Sequence, residues 1–152
     1  MTLENLLAIH KLQSFEASAV GVQRLLAAAG RNLADAGIAA LSSENRFDAA
    51  YKAIMQCAMI GLWANGYRTS TSQPGHHQTA LQVLPKTLGL ERDVAIVLDA
   101  LRKQRNLNDY EGDPVSDSAV AECCKQAALL LAHTQDWLRK NRPDLLTGKA
   151  QP

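Results

Sequence analysis

Aromatic side chains are scarce in this chain, only 5% of 152 residues. Neither Trp63 nor Trp137 is interleaved with basic residues, so they read as core or dimer-interface aromatics and not as base-stacking platforms. A surplus of positive charge is missing too. At a net charge of +1, strong non-specific nucleic-acid binding is excluded and only a small local patch is left open. Cysteines number three, Cys57, Cys123 and Cys124, with no metal-like or redox-like spacing. Adjacent positions on a helix point about 100° apart, so Cys123 and Cys124 do not clasp one ion. Reduced, mostly packed thiols of a cytosolic protein are the plain reading. The uncharged run Ala53–Tyr67 is too short to span a bilayer and holds Gln56 and Asn65. The start shows no signal-peptide pattern, so a cytoplasmic protein off the membrane is expected. Gly-rich phosphate loops, nucleophile elbows and metal-ligand spacings are lacking, so no metal or cofactor is expected. No stretch of four to eight residues alternates in the strand manner, and no repeat or second domain is visible.

What is abundant is alanine and leucine, which lose little freedom in helices. Leu3, Leu6, Leu7 and His10 make a short helical stripe, within a first helix placed at 1–14. Val22, Leu25, Leu26, Ala29, Leu33, Ala36 and Ala40 then keep amphipathic spacing. Ser42 or Ser43 can cap a helix from about Glu44 to Asn65. Its second half, AIMQCAMIGLWA, is apolar nearly all round, as expected of the most buried helix. The stretch Arg68–Gly75 is the clearest loop. A shorter helix follows over His76–Leu88, strained by Pro85 and ended by Gly89. Another runs from Glu91 to about Asn108 with Val94, Val97, Leu98 and Leu101 inward, before a turn at Glu111–Pro114. The last is marked by Val120, Cys123, Cys124, Ala127, Leu130, Leu131, Thr134, Trp137 and Leu138 on one face. These elements predict an all-α, four- to five-helix up-and-down bundle over 15–141 and a flexible tail over 142–152.

Val94, Leu98, Leu101 and Arg105 are spaced i, i+4, i+7, i+11, so Arg105 continues an apolar stripe. A guanidinium cannot shed its charge, and burying it unpaired is expensive. Asp109 is the nearest candidate partner, and the Tyr110 hydroxyl is expected to point into the same crevice. Spacing alone favours an ordinary surface or helix-end ion pair worth a few tenths of a kcal/mol.

The stretches Arg46–Ala53, Gly66-Tyr67-Arg68, Gly75-His76-His77 and Leu101-Arg102-Lys103-Gln104-Arg105-Asn106, with Asp109-Tyr110, appear in that order. Together they resemble the HEPN superfamily, the higher-eukaryote and prokaryote nucleotide-binding helical domains, over about Ala17–Lys140. The resemblance is nearest to small stand-alone bacterial members. It implies a homodimer that binds RNA or nucleotide. It also implies a place in a toxin–antitoxin or defence system, with a nucleotidyltransferase-like antitoxin as partner. Active members are metal-independent endoribonucleases, in which an arginine steadies the phosphorane and a histidine assists attack of the ribose 2′-hydroxyl. Arg105 and Asn106 match the arginine and its polar neighbour. Tyr110 stands where the histidine would be, and no histidine follows until His133. A phenol titrating near pH 10 is a poor base at neutral pH, so binding is favoured over ribonuclease action.

The candidate catalytic set is thus Arg105, Asn106 and Tyr110, with Asp109, Arg102, His77 and Arg68 as binding residues. His76 and His77 open a helix, where one of them can supply an imidazole to Arg105 or simply bond locally. Arg46 and Tyr51 read as bundle-end residues, and His10 and His133 as packing residues. The competing class is a homodimeric interaction module in which Arg105 and Asp109 lock helices together.

Overall fold

The computed structural model describes residues 2–72 and 74–147. Its organising element is helix α3, Ser43–Ala64, of whose 22 residues twelve are buried. It begins where the Asn45 N–H donates to Ser42 Oγ at 3.1 Å, satisfying one of the donors a helix start leaves free. An almost uninterrupted apolar second half can be satisfied only by neighbours on several sides. Helix α2, Ala19–Ala36, supplies one of them. It runs antiparallel to α3, because Asn32 meets Gln56 while Val22 shares a core cluster with Ile60. Arg46 closes the turn between the two helices: its Nε donates to the Ala36 carbonyl at 2.8 Å, at the C-terminal end of α2.

The second large neighbour is the long C-terminal helix Asp117–Asn141, whose start Ser116 caps. Cys123 lies against the Phe47 carbonyl and Leu138 packs with Ile60, so this helix runs parallel to α3. His133 packs as expected, Nε2 lying 2.6 Å from the Leu88 carbonyl. The buried Cys57 and Cys123 and the half-buried Cys124 are free thiols, with burial pushing Cys57 and Cys123 up to about 12. The helices Arg92–Glu111 and His76–Gln82, with the single turn Leu84–Thr87, cover the remaining side. We label these in chain order: α4 His76–Gln82, α5 Leu84–Thr87, α6 Arg92–Glu111 and α7 Asp117–Asn141. The chain is therefore predominantly helical, and no described helix is long and apolar enough to cross a membrane.

Several boundaries differ from the sequence expectation. The first helix, α1, covers only Leu3–Ala8, and His10 leaves it with φ 65° and an exposed side chain instead of packing. Leu12–Ser14 (β1) then pairs antiparallel with Tyr67–Thr69 (β2), Leu12 opposite Thr69. Three residues per strand are too few to show alternation, and β2 takes the start of the expected loop. The helix expected over His76–Leu88 is split at Val83, because Pro85 has no N–H to continue the ladder. Helix α6 runs on to Glu111, ending at Gly112 with φ 71°, and Val97 on it is 37% exposed instead of inward. Residues 142–147 are not a tail. Arg142 donates to the Ala64 carbonyl at 2.6 Å, and Asp144–Thr147 forms helix α8 with Leu145 buried beside Val22 and Ile60. The rest of the expected tail, 148–152, lies outside the described residues.

Gly61 lets α3 and α5 approach closely. A Cβ there would sit 2.8 Å from Thr87 Oγ1 and 3.0 Å from Leu88 Cγ, both on buried residues. Gly30, inside α2, has nothing within 4 Å. Gly61→Ala is therefore expected to cost about 1–2 kcal/mol net, and Gly30→Ala to gain about 0.5–1 kcal/mol. Urea midpoints of the two variants check the opposite signs, and a stabilised Gly61→Ala would refute the close α3–α5 contact.

Candidate functional site

One face of α3 stays uncovered. Asn45, Asp48, Lys52 and Gln56 recur at spacings of three and four, placing them on a single stripe, and Met55 and Met59 extend it. These residues floor a cavity of about 740 Å³. Leu25, Asn32 and Asp35 of α2 line it too, as do His77 of α4 and Arg105 of α6.

Tyr51 is the pivot of the cavity. Its side chain is buried, at 3% exposure, yet it touches both α4 and α6. The Arg105 guanidinium carbon lies 5.5 Å from the ring centroid, a cation–π distance. At the other end of the ring, the Tyr51 hydroxyl lies 3.2 Å from His77 Nδ1. Burial pushes the Tyr51 hydroxyl up to about 12, so it stays a neutral hydrogen-bonding group.

Arg105 is held from within its own helix by Asp109, Nε to Oδ2 at 2.9 Å, with both side chains under a third exposed. That bond uses Nε and leaves the outer edge of the fork, Nη1 and Nη2, for an anion. Arg102 is held similarly by Asp99, Nε to Oδ1 at 2.8 Å. The imidazole of His77 is held below its ordinary value, first by burial, then by His76, Arg105 and Arg102. It is thus neutral at neutral pH. Asp48 is shifted the other way: burial raises its carboxyl, Asp109 adds to the rise, and Arg105 and Lys52 oppose it.

Of the residues expected from sequence, Arg105, Asp109 and His77 come together around Tyr51. Arg102 stands one turn behind, its charge felt at both Tyr51 and His77. Three others do not join them. Tyr110, expected in the crevice, is 76% exposed and absent from the cavity wall. The reason is geometric: α6 stays helical through Glu111, and five residues at about 100° each turn Tyr110 some 140° away from Arg105, whereas Asp109 is only about 40° off. Asn106, about 100° round from Arg105, is half-buried and does not line the cavity. Arg68 lies on β2, where its Nε donates to Gln13 Oε1 at 3.1 Å and its guanidinium covers Phe15.

Sequence reading passed over Tyr51 as a bundle-end residue and missed the polar stripe. The stripe's signal was available: Asn45, Asp48, Lys52 and Gln56 share one face of a helix whose other faces are apolar beyond its first turn. Among the described residues no group of three or more His, Cys, Asp or Glu side chains could hold a metal ion. No family model and no curated protein matches the chain.

A desolvated neutral imidazole makes stability pH-dependent. Because the folded pKa lies below the unfolded value of 6.5, the unfolded chain takes up the proton first. Stability is full above pH 6.5 and falls as pH drops below it. His77→Gln should remove that part of the fall, so the gap between urea midpoints at about pH 7.5 and pH 5.5 should be smaller than in wild type. An equal or larger gap in the variant would rule out a desolvated His77.

Proposed function

We propose that this chain is a HEPN-like helical bundle that binds a phosphate-bearing ligand, RNA or a nucleotide, at the Arg105–Tyr51–His77 cluster. The single observation that carries the reading is the free outer edge of the Arg105 guanidinium, fixed by Asp109 and Tyr51 on a cavity it shares with Lys52 and His77. Charge-assisted bonds to a bidentate fork are the strong ones, and they strengthen where water is partly excluded. Catalytic roles for Asn106 and Tyr110 are not part of this proposal.

One observation favours a second reading, an active metal-independent endoribonuclease. His77 brings a neutral imidazole to the arginine from a different helix. It would accept the proton of a ribose 2′-hydroxyl as that oxygen attacks the adjacent phosphorus. Arg105 would meet the charge on the pentacoordinate phosphorus; the P–O5′ bond would break, the 5′-oxygen taking a proton from water as it leaves, to give a 2′,3′-cyclic phosphate.

A homodimer is the assembly we propose. Ile96, Leu107 and Tyr110 are 67%, 45% and 76% exposed and recur on one outward face of α6. That face is turned about 140–200° from Arg105, so each copy would keep its own site. A toxin–antitoxin role with a nucleotidyltransferase-like partner follows from the HEPN resemblance alone.

Binding is tested with fluorescein-labelled single-stranded RNA and with ribonucleotides, in EDTA and at stated salt. Arg105→Ala should weaken binding about 10- to 100-fold. Wild-type protein that binds neither RNA nor nucleotide refutes the reading. Fragments ending in 2′,3′-cyclic phosphate, lost in His77→Ala, would establish the ribonuclease. Sedimentation of wild type as a dimer and of Leu107→Glu as a monomer would establish the assembly, and a monomeric wild type would exclude it.

A further inference from the structure

We propose that the groove takes one nucleotide and not a run of RNA, with the phosphate at Arg105 and Lys52 and the base against Asn32, Gln56 and Met59. This rests on the phosphate-binding reading above and narrows its ligand. The cavity's two ends differ in chemistry. Toward the start of α3 it carries two carboxylates, Asp35 and Asp48. Toward the other end it carries Leu25, Met55 and Met59 with the amides of Asn32 and Gln56, and no charge. Arg105 and Lys52 lie between, at the turn of α3 that holds Tyr51.

A phosphate settled on the two cations leaves its sugar and base a choice of direction. The acidic end repels any further phosphate, and its apolar lining is Leu41 and Ala49. The other end suits a base on both counts. Asn32 Nδ2 donates to Gln56 Oε1 at 2.8 Å. That bond uses the nitrogen of one amide and the oxygen of the other, so an amide oxygen and an amide nitrogen remain on two bonded residues of the cavity wall. This holds whichever way the two amides are turned, and a neighbouring donor and acceptor complement a base edge. Met59, above the buried Met55, presents an adaptable, polarisable side chain to an aromatic face. Gln56 lies five residues past Tyr51, about 7.5 Å along the helix, which leaves room for a ribose between phosphate and base.

Charge sets the length of the ligand. Arg105 and Lys52 are the cations on the cavity wall, and Asp35 and Asp48 oppose them. With His77 neutral, the wall sums to no net charge. Polynucleotide binding draws its affinity from many neutralised phosphates, and two cations answer one phosphate. A volume of about 740 Å³ sits within the ~300–1,000 Å³ usual for small-ligand sites.

The purified full chain is titrated by calorimetry with the four ribonucleoside 5′-monophosphates, ribose 5-phosphate, inorganic phosphate and a short single-stranded RNA. At least one monophosphate should bind about tenfold more tightly than ribose 5-phosphate. Gln56→Leu should bring it down to the ribose 5-phosphate level while leaving ribose 5-phosphate binding unchanged. Asn32→Ala, on the other helix, should do the same, and a thermal melt confirms that both variants are folded. Arg105→Ala should weaken every phosphate compound. Monophosphates binding no better than ribose 5-phosphate, or a preference untouched by both amide variants, overturns the base position and leaves phosphate binding standing. RNA bound more tightly than every monophosphate overturns the single-nucleotide assignment. If none of the phosphate compounds binds, this inference and the reading beneath it fall together.

Discussion

Helix α3 is buried on every face but one, and the rest of the molecule depends on that constraint. Its run of alanine, methionine, isoleucine and leucine has to leave water, which brings α2 and α7 along its flanks and α4, α5 and α6 across its remaining side. Close approach comes from small residues. Ala50, Ala53, Ala58 and Gly61 are fully or nearly fully enclosed, so neighbouring backbones come near without large side chains between them. The stripe Asn45–Asp48–Lys52–Gln56 is the face left open as a groove, walled by residues of α2, α4 and α6. The groove is thus a consequence of how the core is closed, and its polar floor is what keeps that face in contact with water.

A buried phenol beside a guanidinium and an imidazole ties this groove to chemistry. Tyr51 belongs to the core by burial and to the site by contact. Its ring fixes Arg105 without neutralising it, whereas Asp109 both fixes and partly neutralises it. The pair has a geometric effect larger than its energy. An i, i+4 ion pair at this exposure contributes only a few tenths of a kcal/mol to stability. It holds one edge of the fork, however, so the guanidinium has little freedom left to lose.

Most of the fold was legible in the sequence because helical periodicity is repetitive. The stripe on α7 runs through six buried positions, and the Ser42 cap and the start of α3 are local signals that local structure obeys. What escaped was short or non-local. Leu12–Ser14 forms a strand only because Tyr67–Thr69 is beside it. The helix α8 exists because Leu145 finds Val22 and Ile60, more than 80 positions earlier in the chain. The site divided the same way. Arg105 and Asp109 could be paired by counting along one helix. His77 joins them across three elements, which counting cannot reveal, and Tyr110 drops out because the helix continues one turn further than its composition indicated.

The electrostatics of the cluster close on a single point. Burial lowers the proton affinity of His77, and His76, Arg105 and Arg102 lower it further. The same two arginines partly offset the rise that burial imposes on Tyr51. Both groups are consequently neutral at neutral pH, and the hydrogen bond between them carries no charge for an anion to oppose. A protonated His77 would draw an anion by itself and compete with Arg105 for it. Kept neutral, it leaves the guanidinium and Lys52 as the attraction, while its second ring nitrogen remains a polar contact of either sense, donor or acceptor, according to which nitrogen bears the proton. The charged group and the neutral imidazole therefore sit on different helices, and Tyr51 touches both.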